Sequence, residues 1–207
     1  MNQETIKYLE SLPGGTWSST VKKERLYELV NKCKEQFPND TLLSVELGVF
    51  GGVSAFCIAK AHKDLNTGFI MGIDAWNKEA PLEGTNSEEN NKWWSELDIE
   101  AIHHSFLQSC TDSRWVGYIF SLKGKSDEFI DSFRDDSVTL LHQDSNHASE
   151  VIIRELELWS PKVKVGGYWV ADDTNWKESQ AGYAKLPDFG FELVEQFDTW
   201  AIYKKVK

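Results

Sequence analysis

The sequence predicts an α/β sandwich, mostly parallel, with helices on both faces. Three observations carry the prediction. Short apolar runs alternate with helical patterns along most of the chain. A glycine turn joins one such run to the helix after it, and a further strand follows, which makes a βαβ unit with parallel strands. The C-terminal stretch "FELVEQFDTWAIYKK" reads instead as two strands about a turn at Asp198-Thr199, a terminal hairpin.

Residues 1–12 suit a short helix closed by Pro13-Gly14-Gly15. Between Val21 and Phe37, Leu26, Leu29, Val30, Cys33 and Phe37 follow helical spacing, and Ser19 or Thr20 can cap the start. "TLLSVELGVFGG" is a strand running into the glycine turn, "VSAFCIAKAHK" a helix and "GFIMGIDAW" a strand ending at Asp74. Residues 75–110 are polar and tryptophan-rich. They read as a lid-like insertion over one end of the sheet, outside the core. "WVGYIFSLKG" resumes as a strand, "SDEFIDSF" as a short helix and "SVTLLHQD" as a strand. "ASEVIIRELELW" is a helix that Ser149 is placed to cap and Pro161 stops; "GGYWVADD" is the next strand. The expected organisation is a single domain over residues 1–207, with N-terminal helices in 1–40.

Composition narrows the function. With 207 residues and 41% hydrophobic content, the chain can build a core without staples. No apolar run approaches the roughly 18–20 residues of a membrane span. The N-terminus lacks a basic-then-apolar signal, and Cys33, Cys57 and Cys110 form no CxxC pair, so a reduced, cytoplasmic protein is expected. A formal charge of −11 disfavours nucleic acid and anionic membrane partners. A small-molecule partner stays open, and the amphipathic N-terminal helix offers a surface for a homodimer.

Ligands of such sheets sit beyond the carboxyl ends of the strands, so residues that follow apolar runs are the candidates. In "ELGVFGGVSA", Gly48, Gly51 and Gly52 let backbone approach a ligand closely, and the helix start offers free N–H groups. The pattern is not the GxGxxG dinucleotide fingerprint. Asp74, at the next strand end, is placed to accept hydrogen bonds from ribose hydroxyls, or else simply caps a turn. Asp144 in "LHQDSNH" and Asp172-Asp173 in "WVADDT" would converge if their strands are neighbours. Three such carboxylates repel unless a cation relieves them, and oxygen ligands favour Mg²⁺, Ca²⁺ or Mn²⁺. The plain alternative is a capping Asp144 and a solvated Asp172-Asp173 turn. An imidazole can take a proton from a hydroxyl, which makes His147 the natural proton acceptor. His142, inside an apolar run, suits a core histidine, while His103 or His104 could face a substrate from the insertion. Trp76, Trp93 and Trp94 suit either stacking on a flat ligand or pinning the insertion down.

Together these residues resemble the class I S-adenosylmethionine (SAM)-dependent methyltransferases, and more closely the bacterial methyltransferase-24 type, related to macrocin- and novobiocin-type O-methyltransferases. The resemblance runs from about Thr41 to Lys205. It rests on "VELGVFGGVSA", "GIDAW" and the long, more specific "LLHQDSNHASEVIIRELELWSPKVKVGGYWVADDTNW". It implies a Rossmann-like sheet of seven strands with the last antiparallel. It also implies cofactor contacts at Gly48, Gly51 and Gly52 along the methionine moiety, within a motif that includes Glu46 and Ser54. Asp74 would bind the ribose, Ser126 the adenine end, and Asp144 would belong to cofactor and acceptor alike. In metal-dependent relatives, acids corresponding to Asp144, Asp172 and Asp173 hold Mg²⁺. Those relatives commonly read Asp-Gly-Asp where this chain has Asp144-Ser145-Asn146. Asn146 cannot act as a base, which leaves His147, beside Asp144, as the catalytic candidate. The implied activity is methylation of a hydroxyl on a small molecule such as a sugar or glycosylated metabolite. An NAD-dependent oxidoreductase and a non-catalytic nucleoside-binding protein are the rival readings.

Overall fold

Seven strands build one sheet in the computed structural model, which describes residues 1–207. They are β1 (Leu42–Leu47), β2 (Gly68–Asp74), β3 (Ile119–Lys123), β4 (Val138–Gln143), β5 (Val163–Ala171), β6 (Phe191–Gln196) and β7 (Ala201–Lys205). The order across the sheet is β3-β2-β1-β4-β5-β7-β6. Strand β7 enters between β5 and β6 and is antiparallel to both, so the expected terminal hairpin supplies the reversed strand. The helices are α1 (Gln3–Glu10), α2 (Thr20–Gln36), α3 (Val53–Leu65), α4 (Glu88–Glu96), α5 (Ile99–Ser109), α6 (Ser149–Trp159) and α7 (Lys177–Tyr183). None is long and apolar enough to cross a membrane.

Side-chain alternation along the central strands feeds two cores. Leu42, Ile70, Leu140 and Val170 face α2 and α3, meeting Leu26, Val30, Phe56 and Ile58. Val45, Leu47, Ile73 and Leu141 face the other way, against Ile152, Leu156 and Trp159 of α6. The chain leaves β1 toward β2 on one side and later returns to place β4 on the other. The switch point therefore lies between the ends of β1 and β4, where a crevice must open.

Local rules explain most element ends. Ser19 Oγ accepts from Lys22 N at 3.1 Å and starts α2. The expected cap at Ser149 is corrected: the α6 N-cap position is Ala148, held by Asn146 Oδ1, which accepts from Ala148 N at 2.8 Å. Ser149 Oγ instead donates to Glu178 O and accepts from Gly182 N, tying α6 to α7. Residues 126–132 form a 3-10 helix. The insertion also needs correction. Its α4 has no buried residue, but Trp76, Ile99 and Phe106 belong to the main core. Phe106 stacks on Phe56 at 5.5 Å because Gly52 leaves room; a Cβ there would sit 2.6 Å from the Phe106 ring.

Candidate active site

The glycine turn follows β1 directly. Gly48 (φ +81) and Gly52 (φ +86) adopt left-handed backbone that side chains resist. Close packing within the protein adds a second requirement. A Cβ on Gly48 would meet Asp144 O at 2.1 Å, and one on Gly51 would meet Pro13 O at 2.2 Å. The glycines thus admit the end of β4 and the N-terminal segment as well as lining a cavity. Asp74 holds the turn in shape. Its Oδ2 accepts from Val49 N and Phe50 N, both at 2.8 Å, and its Oδ1 from Trp76 N at 2.6 Å. Burial raises the Asp74 pKa, and the three N–H donors oppose the rise.

A cavity of about 780 Å³ opens at the switch point. Glu46, Gly51, Gly52, Ser54, His147, Asp172 and Asp173 line it, as do Trp17, Lys22, Trp93 and Trp176 from the covering segments. A smaller cavity of about 110 Å³ lies beside it, lined by Asp74, Ser126, Glu155, Glu83, Lys125 and Arg154. Gly48, Phe50, Asp144 and Ser145 line both, so the two spaces meet at the carboxyl ends of β1 and β4.

The acids of the rim do not gather about one point. Asp144 clusters with His142 and Asp172 on one side, and with His147 and Asp173 on the other. Lys22, absent from the sequence-based candidates, reaches in from α2; its ammonium contacts Asp172 Oδ2 and lies 3.9 Å from Asp144 Oδ2. His142 Nδ1 pairs with Glu46 Oε1 at 2.7 Å, fully buried as expected of a core histidine, while Glu46 Oε2 has no partner. Burial raises Glu46, against the pull of His142. Burial, then the negative charge of Asp172, push Asp144 well above the usual carboxylate range. Burial alone would raise Asp172 too, but the Lys22 ammonium holds it well below that range. Asp173 takes a different partner: its Oδ2 lies 2.5 Å from His147 Nε2. The three acids expected to share a metal are therefore divided between a lysine and a histidine, and this donor set does not fit one divalent ion.

Glu155 is another cavity residue absent from the sequence-based candidates, as are Glu83, Lys125 and Arg154. Buried on α6, the Glu155 carboxylate accepts from Ser126 Oγ, Gln143 Nε2 and Ser145 Oγ, each at 2.6 Å. Ser126 thus lines the smaller cavity, already bonded to protein. The insertion closes this side. Glu83 pairs with Arg154 at 2.6 Å and Lys125 at 2.7 Å, and Asn146 Nδ2 donates to Ala80 O and Glu83 O. Its tryptophans pin it down: Trp76 Nε1 donates to Phe50 O at 3.0 Å, and Trp94 meets Phe50 edge-on at 5.9 Å. His103 stacks on Trp76 at 4.3 Å.

Known proteins share this architecture. The O-methyltransferase NovP superposes with a TM-score of 0.66 at 17% identity, covering 90% of this chain and 80% of its own. TomG from Streptomyces achromogenes, an O-methyltransferase involved in tomaymycin synthesis and solved in complex with SAM, gives 0.64 at 11% identity over 100% and 91%. A methyltransferase from Geobacter sulfurreducens gives 0.64 at 12% identity over 100% and 91%. At these identities the likeness shows a common fold. No curated protein matches by sequence. The family profile described as "Methyltransferase domain", of the methyltransferase-24 type, matches residues 45–174, from within β1 to just past Asp173. That span holds the glycine turn, Asp74, Asp144, His147 and both acids after β5, and the chain belongs to this methyltransferase family.

Proposed function

We propose that the chain transfers the methyl group of SAM to a hydroxyl of a small molecule such as a sugar or glycosylated metabolite. The observation that carries this is the meeting of the two cavities at Gly48 and Asp144. The smaller space suits the nucleoside and the larger one the methionine moiety and the acceptor, so donor carbon and acceptor oxygen would face each other near the junction. When bound, SAM supplies an already activated methyl group on a sulfonium, so alignment is the protein's main task. Asp74 and Glu155 edge the nucleoside space. Glu46 Oε2, buried and unpartnered, suits the ammonium of the methionine moiety. The acidic rim favours a cationic donor over a neutral product.

His147 is the base in this reading. With Nε2–H directed at Asp173, Nδ1 is left to accept the acceptor's proton, and Asp173 stabilises the imidazolium that forms. His147 would take up the hydroxyl proton as the acceptor oxygen receives the methyl group that bound SAM would supply. Trp17, Trp93 and Trp176 at the mouth suit the apolar face of a sugar or ring. The deciding experiment is a melt of the purified protein with S-adenosylhomocysteine. A ligand of the native state at a hundredfold excess over its Kd adds about 2.7 kcal/mol. Unchanged melting at saturating ligand would sink the proposal.

A further inference from the structure

The first turn of α2 buries two lysines: Lys23 donates to the carbonyls of Gly15 and Ser18, whereas Lys22 reaches the acids of the rim. The backbone N–H of Lys22 is taken by the Ser19 cap, while its side chain turns under the helix and is 7% exposed. The ammonium contacts Asp172 Oδ2 and lies 3.9 Å from Asp144 Oδ2, and His142 Nε2 stands 3.9 Å from the same Asp172 oxygen. His142, Asp144 and Asp172 are also the three groups whose ligating atoms lie within 4.8 Å of one another, close enough for one ion. A lysine nitrogen already contacts two of the three. A buried ammonium is tolerated only with such partners, and its three N–H donors suit carboxylates as a cation does.

The second acidic group is closed by another pairing. His147 Nε2 and Asp173 Oδ2 are 2.5 Å apart. Two adjacent ligands of an octahedral ion with bonds of about 2.1 Å stand roughly 3 Å apart, so an ion there must first break the pair. Asp144 belongs to both groups, so the Lys22 contact and the His147–Asp173 pair flank it from the two sides.

We propose that Lys22 is the resident cation of this rim, standing where a divalent ion would otherwise sit, and that the chain works without a bound metal. A positioning role follows. Lys22 holds the Asp172 carboxylate toward α2, and Asp144, with its side chain 31% exposed, keeps an edge on the cavity for the acceptor. The N-terminal helices become part of the site through this one side chain. The role in turnover rests on the proposed methyl transfer; the exclusion of metal does not.

The test is Mn²⁺ titration of the full chain, followed by the loss of the free-ion spectrum in electron paramagnetic resonance. Wild type should leave the ion free. Lys22→Met, checked for folding by circular dichroism, should take up one ion per chain, and adding Asp172→Asn should abolish that uptake. Wild-type protein that binds one Mn²⁺, lost on Asp172→Asn, would overturn the proposal. A folded Lys22→Met that binds none would overturn it too, because lysine would not be what excludes the ion. Should Lys22→Met fail to fold, the wild-type arm still decides. Neither readout involves SAM, so failure of S-adenosylhomocysteine to bind would count against the proposed function alone.

Discussion

Three residues other than glycine that line the cavities hold left-handed backbone: Phe50 (φ +52), Trp76 (φ +40) and Asp173 (φ +48). Such conformations cost of order 1–3 kcal/mol each and persist only where neighbours enforce them. For Phe50 and Trp76 the enforcer is Asp74, which accepts from both backbone N–H groups and from Val49. Hydrogen bonds to a charged group contribute about 1.5–3 kcal/mol each. Asp74→Ala should therefore lower the melting temperature by several degrees and weaken S-adenosylhomocysteine binding at least ~10-fold by calorimetry. Equal binding by the variant would limit Asp74 to a turn residue. His147 makes a complementary prediction. His147→Ala should reduce kcat by about 10²–10⁴-fold while cofactor affinity stays, as expected for loss of a general base. Asp173→Asn should reduce kcat less, because the imidazole survives. Wild-type turnover in His147→Ala would move the base elsewhere, with Asp144 next in line.

The insertion is tied to the wall of the smaller cavity through a latch. Glu83 holds Arg154 of α6 and Lys125, and these two hydrogen-bonding cations lower its pKa to about 2. Because the folded value lies below the unfolded one, the latch contributes above about pH 4.5 and fades as pH falls toward 2. At neutral pH the carboxylate is charged and the latch is formed, so mutation is the way to test it. Arg154→Ala should speed release of bound S-adenosylhomocysteine and raise the KM for SAM several-fold, with kcat little changed; stopped-flow displacement would show unchanged release if the latch is idle. The same elements show what the sequence could carry. The βαβ unit, the hairpin and the strand-end acids were legible because apolar period and glycine placement are local signals. The core role of Trp76 and Phe106 was not, since it depends on a gap at Gly52 from a distant part of the chain. Lys22 and Glu155 were half legible. Lys22 falls on the stripe of Leu26, Leu29, Val30 and Cys33, and Glu155 on that of Ile152, Leu156 and Trp159. A charge on an apolar stripe points inward, but only the fold names its partner. The helix over 177–183 gave no apolar period to find.

Across the whole molecule, buried ionisable groups pull stability in opposite directions as pH falls. Asp144, Glu46, Asp74 and Glu155 all have folded pKa values raised by burial, so their protonation favours the native state as pH drops through those values. His62 on α3 acts against them. It is fully buried beneath the sheet, with Nε2 2.8 Å from Ser44 Oγ and Nδ1 without a partner, and desolvation lowers its pKa from 6.5 to about 4. In the unfolded chain the imidazole takes a proton below pH 6.5; in the native state it does not until about pH 4. Stability is therefore lost across that window, on the order of 3 kcal/mol in all from this group. The wild-type profile sums both effects and cannot separate them. His62→Gln can, because glutamine carries no titrating group; whatever constant amount it costs, the difference between wild-type and variant unfolding energies should shrink as pH falls from 6.5 to 4. Urea melts at several pH values across that range would give this difference directly. A difference independent of pH would mean that His62 takes up its proton at the same pH in the native state as in the unfolded chain, with Ser44 and its surroundings supporting the charge.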